Sequence, residues 1–220
     1  MLLSTHFAFL HVPKTGGSFV SAVLREQLAP GALLPQPSRD SHISWEELPA
    51  EAAELPVLCF VRNPWDWYVS WYHYLTQTHR EDRLRKPIFR DLFDGGRSDF
   101  ATVVSRVCMG QIEHRDPRVN ALMAGREIDL YSARLLTILG AGIDDPRLEI
   151  GRYERLLEDL EAFLERHRVP LLAGTSAKLR CTEHLRASAH GPYREYYDEN
   201  LRRLVAERSR IVIERFGYTF

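Results

Sequence analysis

The chain has 220 residues, 45% of them hydrophobic and 27% charged, which suits one globular domain with a substantial core. Its 29 basic and 30 acidic side chains leave a formal charge of −1. That balance excludes a global basic field for nucleic acid or acidic membranes, so any anion site must be local. No apolar stretch approaches the roughly 20 residues that span a bilayer. Met1 to His6 reads as the lead-in to a first strand rather than as a signal peptide. Cys59, Cys108 and Cys181 are odd in number and widely spaced, a usage that fits reduced thiols in the cytoplasm. Cys181 and His184 stand without a second ligand pair, and no metal is expected.

No internal repeat or low-complexity tract is present. A strand over 6–12, a loop over 13–17 and a helix over 18–28 open the chain, with Phe19, Val20, Val23, Leu24 and Leu28 as the buried stripe. Three prolines and a glycine make 29–41 a loop. A short helix is expected over 45–54. Residues 56–62 (PVLCFVR) form the continuous apolar run of a strand buried on both faces in a parallel sheet. Asn63-Pro64-Trp65-Asp66 then starts a helix, with Asn63 as cap and Pro64 at the first position. That helix runs to about Thr78, and its aromatics on nearly all faces imply that it is covered. Residues 79–98 form a charged excursion, 100–109 a helix, and 110–130 a stretch of weak pattern. Ile128 to Tyr131 starts either a short strand or a helix through Leu139. A strand at 147–153 and a helix at 154–168 follow, with Leu156, Leu157, Leu160, Phe163 and Leu164 inward. Residues 173–192 read as a basic loop. A closing helix spans 198–216, with Leu201, Leu204, Val205, Ile211 and Val212 on its apolar side and Gly217 as its stop. Strands alternating with helices predict an α/β fold with a mainly parallel central sheet flanked by helices.

His11-Val12-Pro13-Lys14-Thr15-Gly16-Gly17-Ser18 sits between the first strand and the first helix. Amides at a helix start carry partial positive charge and receive anions, and Gly16 and Gly17 permit close backbone approach. The alternative is an ordinary Thr-Gly-Gly turn. The lysine precedes the glycines, so this is not the G-x-x-x-x-G-K-[ST] loop of nucleoside triphosphatases. After the next apolar strand, where such enzymes place an aspartate for magnesium, stands Arg62. An arginine there suits a second anion held directly, and it should lie near the first loop. Ser70, eight residues on, faces either the same pocket or the packing. Two phosphate sites without a magnesium acid point to a nucleotide phosphorylated at both its 5′ and 3′ ends.

Pro13 to Ser18 and Arg62 to Asp66, with Ser70 and Tyr72, resemble the two phosphate motifs of sulfotransferases that use 3′-phosphoadenosine 5′-phosphosulfate (PAPS). The likeness is nearest to the carbohydrate O-sulfotransferase branch with its small bacterial members. Gly151 to Leu156, His184 to Ser188 and the ending from Tyr193 also resemble family segments, while 79–145 matches nothing in it. Trp67 departs from the arginine common there. The resemblance implies a three-layer P-loop-NTPase-like fold in a single domain over 1–220, with 73–145 as the acceptor-binding excursion. It implies that Lys14, Thr15, Gly16, Gly17, Ser18 and Phe19 hold the 5′-phosphosulfate and that Arg62, Ser70, Arg186 and Ser188 attend the 3′-phosphate. Lys14 would balance charge on the leaving oxygen, and His42, between the two motifs, would take the acceptor's proton, with no metal. The product would be adenosine 3′,5′-diphosphate (PAP), and the partner a hydroxyl-bearing acceptor, a carbohydrate or small metabolite. His11 reads as a strand-end residue that orders the turn; His114, Glu46 and Glu113 are the rival bases. The basic run 79–86 is either a solvated face or a contact for an acidic acceptor. The other functions open to the sequence are a nucleoside-phosphate kinase and a non-catalytic nucleotide-binding module.

Overall fold

The computed structural model of the chain describes residues 1–36, 42–77, 92–181 and 190–220. Its strands are β1 Leu2–Leu3, β2 Ala8–Phe9, β3 Val57–Val61 and β4 Leu148–Arg152. Its helices, in chain order, are α1 Gly17–Gln27, α2 Pro64–Gln77, α3 Phe100–Cys108, α4 Pro117–Arg126, α5 Leu130–Leu139, α6 Leu156–Arg166, α7 Thr175–Cys181, α8 Glu199–Arg208 and α9 Arg210–Phe216. Contacts divide the chain into two compact units, Met1–Arg62 with Ile138–Arg186 and Asn63–Thr137 with Ala187–Phe220. Among the described residues no helix is long and apolar enough to cross a membrane.

The first unit carries one four-stranded sheet in the order β1-β2-β3-β4. β1 pairs antiparallel with β2, and the other two pairs are parallel, with Phe9 opposite Leu58 and Val61 opposite Arg152. Every residue of β3 is buried, as its unbroken apolar run requires. β2 is shorter than the strand expected over 6–12, although hydrogen bonds from Ala8 N to Pro56 O and Leu10 N to Leu58 O extend its pairing. The first residues are more than a lead-in, because β1 closes the sheet's edge. Residues 32–36 run along the outer side of β1: Thr5 N donates to Ala32 O at 2.9 Å, Leu34 N to Leu3 O at 3.1 Å, and Ser4 and Leu33 form an antiparallel bridge. Gln36 accepts from Leu3 N–H at 2.9 Å and donates to Leu3 O at 3.1 Å.

One core cluster joins Phe9, Leu58 and Phe60 of the sheet to α1 and α6. Phe19, Val20, Val23, Leu24 and Leu28 are all buried, the stripe that a period of 3.6 places on one helix face. Leu156, Leu160, Phe163 and Leu164 do the same for α6, with Leu157 only partly buried. Each such side chain contributes about 1.5–3 kcal/mol on leaving water. The helix expected over 45–54 is instead two 3₁₀ turns, Trp45–Glu47 and Ala50–Ala52. Pro49, extended between them at ψ 161°, offers no N–H to continue a helix. The segment read as a loop over 173–192 contains α7, anchored by buried Leu179 and by Thr175, whose hydroxyl donates to Leu172 O at 2.6 Å.

In the second unit α2 begins as its sequence dictates. Asn63 Oδ1 accepts from Trp65 N at 3.0 Å, and Asn63 Nδ2 donates to Thr219 O at 2.9 Å. Trp65, Trp67, Tyr68 and Trp71 are buried, and Trp67 stacks on Tyr131 of α5 at 4.7 Å. α3 is capped by Asp99, which accepts from Thr102 N. α4 falls in the stretch of weak pattern; Asp116 caps it, with Pro117 in its first turn. The segment after Ile128 takes the helical alternative. The closing helix is broken at Ser209 into α8 and α9, because Ser209 is buried and its hydroxyl bonds the carboxyl of Asp129. The break turns Ile211 outward to 37% exposure, against expectation. Gly217 ends α9 at φ 61°, as expected. Asp129 is wholly buried, also accepting from Ser132 N at 2.8 Å. Burial holds its carboxyl above the ordinary carboxylate range, and the Tyr68 hydroxyl beside it makes no well-formed hydrogen bond.

Candidate functional site

The loop after β2 is a tight backbone cradle. Lys14 adopts φ 66° and Gly16 φ 85°, left-handed values that cost a residue with a side chain roughly 1–2 kcal/mol. Gly16 is the N-cap of α1 and leaves the helix start without a side-chain cap, so the first-turn amides and their dipole are available to an anion. Thr15 is buried and its hydroxyl donates to Val12 O at 2.8 Å, which closes the turn; its side-chain hydrogen is committed to the loop. Ser18 is half-buried on the first turn of α1, and Phe19 beyond it is part of the core.

Two close approaches fix this loop. A Cβ on Gly16 would stand 2.8 Å from Leu156 Cδ2 and 3.2 Å from Tyr153 Cδ2. A Cβ on Gly17 would stand 2.0 Å from Cδ2 of His11. The imidazole of His11 therefore lies directly on the helix start.

Arg62, at the carboxyl end of β3, is only 5% exposed. Its Nη1 donates to the carbonyl of Lys14 at 3.2 Å, and its guanidinium lies 3.9 Å over the ring of Tyr153. The arginine after β3 thus reaches the loop that follows β2, as expected. Tyr153 supports both Arg62 and Gly16, a role that the sequence reading did not give it. The signal was present in the Gly151–Leu156 segment, but only the fold brings Tyr153 to the loop.

His42 is tied to the same loop. Its Nδ1 is 2.8 Å from the carbonyl of His11, and the two rings lie 4.5 Å apart. A carbonyl only accepts, so Nδ1 carries the proton in this bond and the neutral ring has its lone pair on Nε2. The first unit therefore brings the loop, Arg62 and His42 together. Ser70 belongs to the second unit, buried on α2. Arg186 and Ser188 lie outside the described residues, as does the basic run 79–86.

The rival bases have other partners. His114 Nδ1 accepts from Asp116 N at 3.0 Å, and burial pushes its imidazole down to about 4. Glu46 accepts from Ala141 N at 3.2 Å, and Glu113 is exposed. Among the described residues no three His, Cys, Asp or Glu side chains form a group able to hold a metal. Cys59 and Cys108 are free and buried, and burial pushes both thiols up.

The crystal structure of mouse sulfotransferase SULT7A1 complexed with PAP is similar to this chain, with a TM-score of 0.56 over 98% of this chain and 89% of that one. The chain has the fold of that sulfotransferase. The sequence identity is 14%, so the likeness concerns architecture: a P-loop-NTPase-like α/β fold whose mainly parallel sheet is flanked by helices. No protein-family model and no curated protein matches the chain. In this fold the loop at Lys14 follows β2 and Arg62 directly follows β3.

Proposed function

We propose that the chain transfers the sulfuryl group of PAPS to an acceptor hydroxyl, on a carbohydrate or small metabolite. The observation that carries this reading is the guanidinium of Arg62 at the Lys14 carbonyl. A permanent cation at the strand end beside a glycine-rich helix start suits a nucleotide with two separate phosphate groups bound without a bridging metal ion. The uncapped start of α1 and the conformations at Lys14 and Gly16 fit one of those groups. The PAP-bound structure of a protein with the same fold supports the choice of nucleotide.

PAPS supplies an activated sulfur, to which the acceptor oxygen bonds as the bond to the 5′-phosphate oxygen breaks. The residues of the chain divide the remaining work. The backbone from Gly16 to Phe19 and the ammonium of Lys14 hold the phosphosulfate, and Lys14 balances negative charge on the departing oxygen. Arg62 holds the 3′-phosphate, aided by Ser70, Arg186 and Ser188. His42 receives the acceptor's proton on Nε2, the nitrogen left basic by its bond to the His11 carbonyl. The acceptor is selected by 73–145.

Binding of PAP and ATP, each without magnesium, tests the reading in wild type and Arg62→Ala. PAP is expected to bind the wild type more tightly, and Arg62→Ala to lose that preference. A wild-type preference for ATP, or indifference to Arg62, overturns it.

A further inference from the structure

The side chain of His11 belongs neither to the glycine-rich loop nor to the nucleotide contacts, yet it touches both ends of the proposed chemistry. Residues 9 and 11 fall on the same side of an extended segment, and the Phe9 and His11 rings are stacked at 6.2 Å with 15° between planes. The next ring in the series is His42, 4.5 Å from His11 and tilted by 52°. The edge of the His11 ring meets Gly17, where even a methyl group would overlap Cδ2, Nε2 and Cγ. His11 is 7% exposed. One rigid side chain thus stands between the first turn of α1 and the imidazole of His42, while its own carbonyl fixes the proton of His42 on Nδ1.

We infer that His11 is a positioning residue: its ring sets the place of His42 relative to the anion-binding start of α1, and its backbone carbonyl sets the tautomer of His42. The inference rests on the sulfuryl-transfer reading above. In-line attack needs the proton acceptor on the acceptor side of a phosphosulfate held at the helix start, and small displacements there are costly to rate. In this chain the spacing between those groups is set by a ring anchored in the sheet through Phe9. The backbone bond from His42 to the His11 carbonyl is open to any residue at position 11. A substitution there tests the ring alone.

Three measurements decide it. His11→Ala is expected to lower kcat for sulfate transfer about 10- to 100-fold, with the PAP dissociation constant changed less than about 3-fold. In a His42→Ala background the same substitution is expected to add no further loss, the signature of action through His42. Long-range 1H–15N spectra of the wild type at about pH 8, where ordinary imidazoles are neutral, are expected to show His42 protonated on Nδ1. Parallel losses of PAP binding and kcat, or a full further loss on the His42→Ala background, reduce His11 to a loop support and overturn the inference. So does a wild-type His42 protonated on Nε2, a result that needs no variant to fold. A wild type that neither binds PAP nor transfers sulfate overturns the function and, with it, this role. Normal wild-type transfer with an unaffected His11→Ala overturns the role alone.

Discussion

Gly17→Ala tests the packing on which the site is built. The added methyl would stand 2.0 Å from Cδ2, 2.4 Å from Nε2 and 2.6 Å from Cγ of His11. Carbon atoms pack comfortably at about 3.5–4.0 Å, so the ring must retreat by roughly 1.5 Å. It has little room, since it is stacked on Phe9 and lies against His42. Overpacking of this kind costs about 1–3 kcal/mol, and the severity of the overlap places it near the top of that range. A glycine-to-alanine change inside a helix returns about 0.5–1 kcal/mol, which leaves a net loss near 2 kcal/mol. For a chain of this size each kcal/mol is worth about 2–4 °C, so thermal unfolding is expected to shift down by ~4–8 °C. Gly31→Ala is the control, because Gly31 has φ +82° with nothing within 4 Å of an added Cβ. It pays only the backbone cost, roughly 1–2 kcal/mol. The decisive comparison is the double variant: His11→Ala with Gly17→Ala should be more stable than the sum of the single effects. Simple additivity, or a Gly17→Ala protein as stable as wild type, refutes the packing argument.

Lys14→Ala is expected to lower kcat for sulfate transfer by about 10²-fold or more while weakening PAP binding less; equal losses would assign Lys14 to binding alone. Asn63→Ala removes the cap of α2 and the bond to Thr219 O, and is expected to lose about 1–3 kcal/mol in urea unfolding. Asn63→Asp, which keeps the capping oxygen, should lose less. Burial raises the Asp129 carboxyl in the folded protein, so its protonated form favours folding. Its contribution is fully present below the ordinary value of about 4 and is lost as pH rises through the raised folded value. The stability of wild type relative to Asp129→Asn should therefore fall as pH rises above about 4, and urea midpoints that stay parallel as pH rises from there would refute this.

Elements governed by local rules were legible. The apolar run of β3 and the Asn63-Pro64 start of α2 are local signals, and both were placed to within a residue or two. α4 was missed although Asp116-Pro117 announces it, because Val119 alone among its described side chains is buried, and no periodic stripe forms. The break at Ser209 depends on Asp129, 80 residues away, so no window over 198–216 could contain it. The site divides in the same way. The placement of Arg62 against the loop at Lys14 was legible from residue type and position. The inward turn of the Thr15 hydroxyl and the support of Arg62 by Tyr153 arise from packing between distant segments.

The Gln36 amide beside β1 has a consequence for behaviour in solution. Two short strands would ordinarily leave a row of unpaired N–H and C=O groups, a template on which another extended chain can add. Here residues 32–34 pair with it through their backbone, and the Gln36 amide adds the donor and acceptor of one more peptide bond toward Leu3. Backbone and side chain of the same segment thus occupy the pairing groups from Leu3 to Thr5, so the place where a second extended chain would add to β1 is already taken.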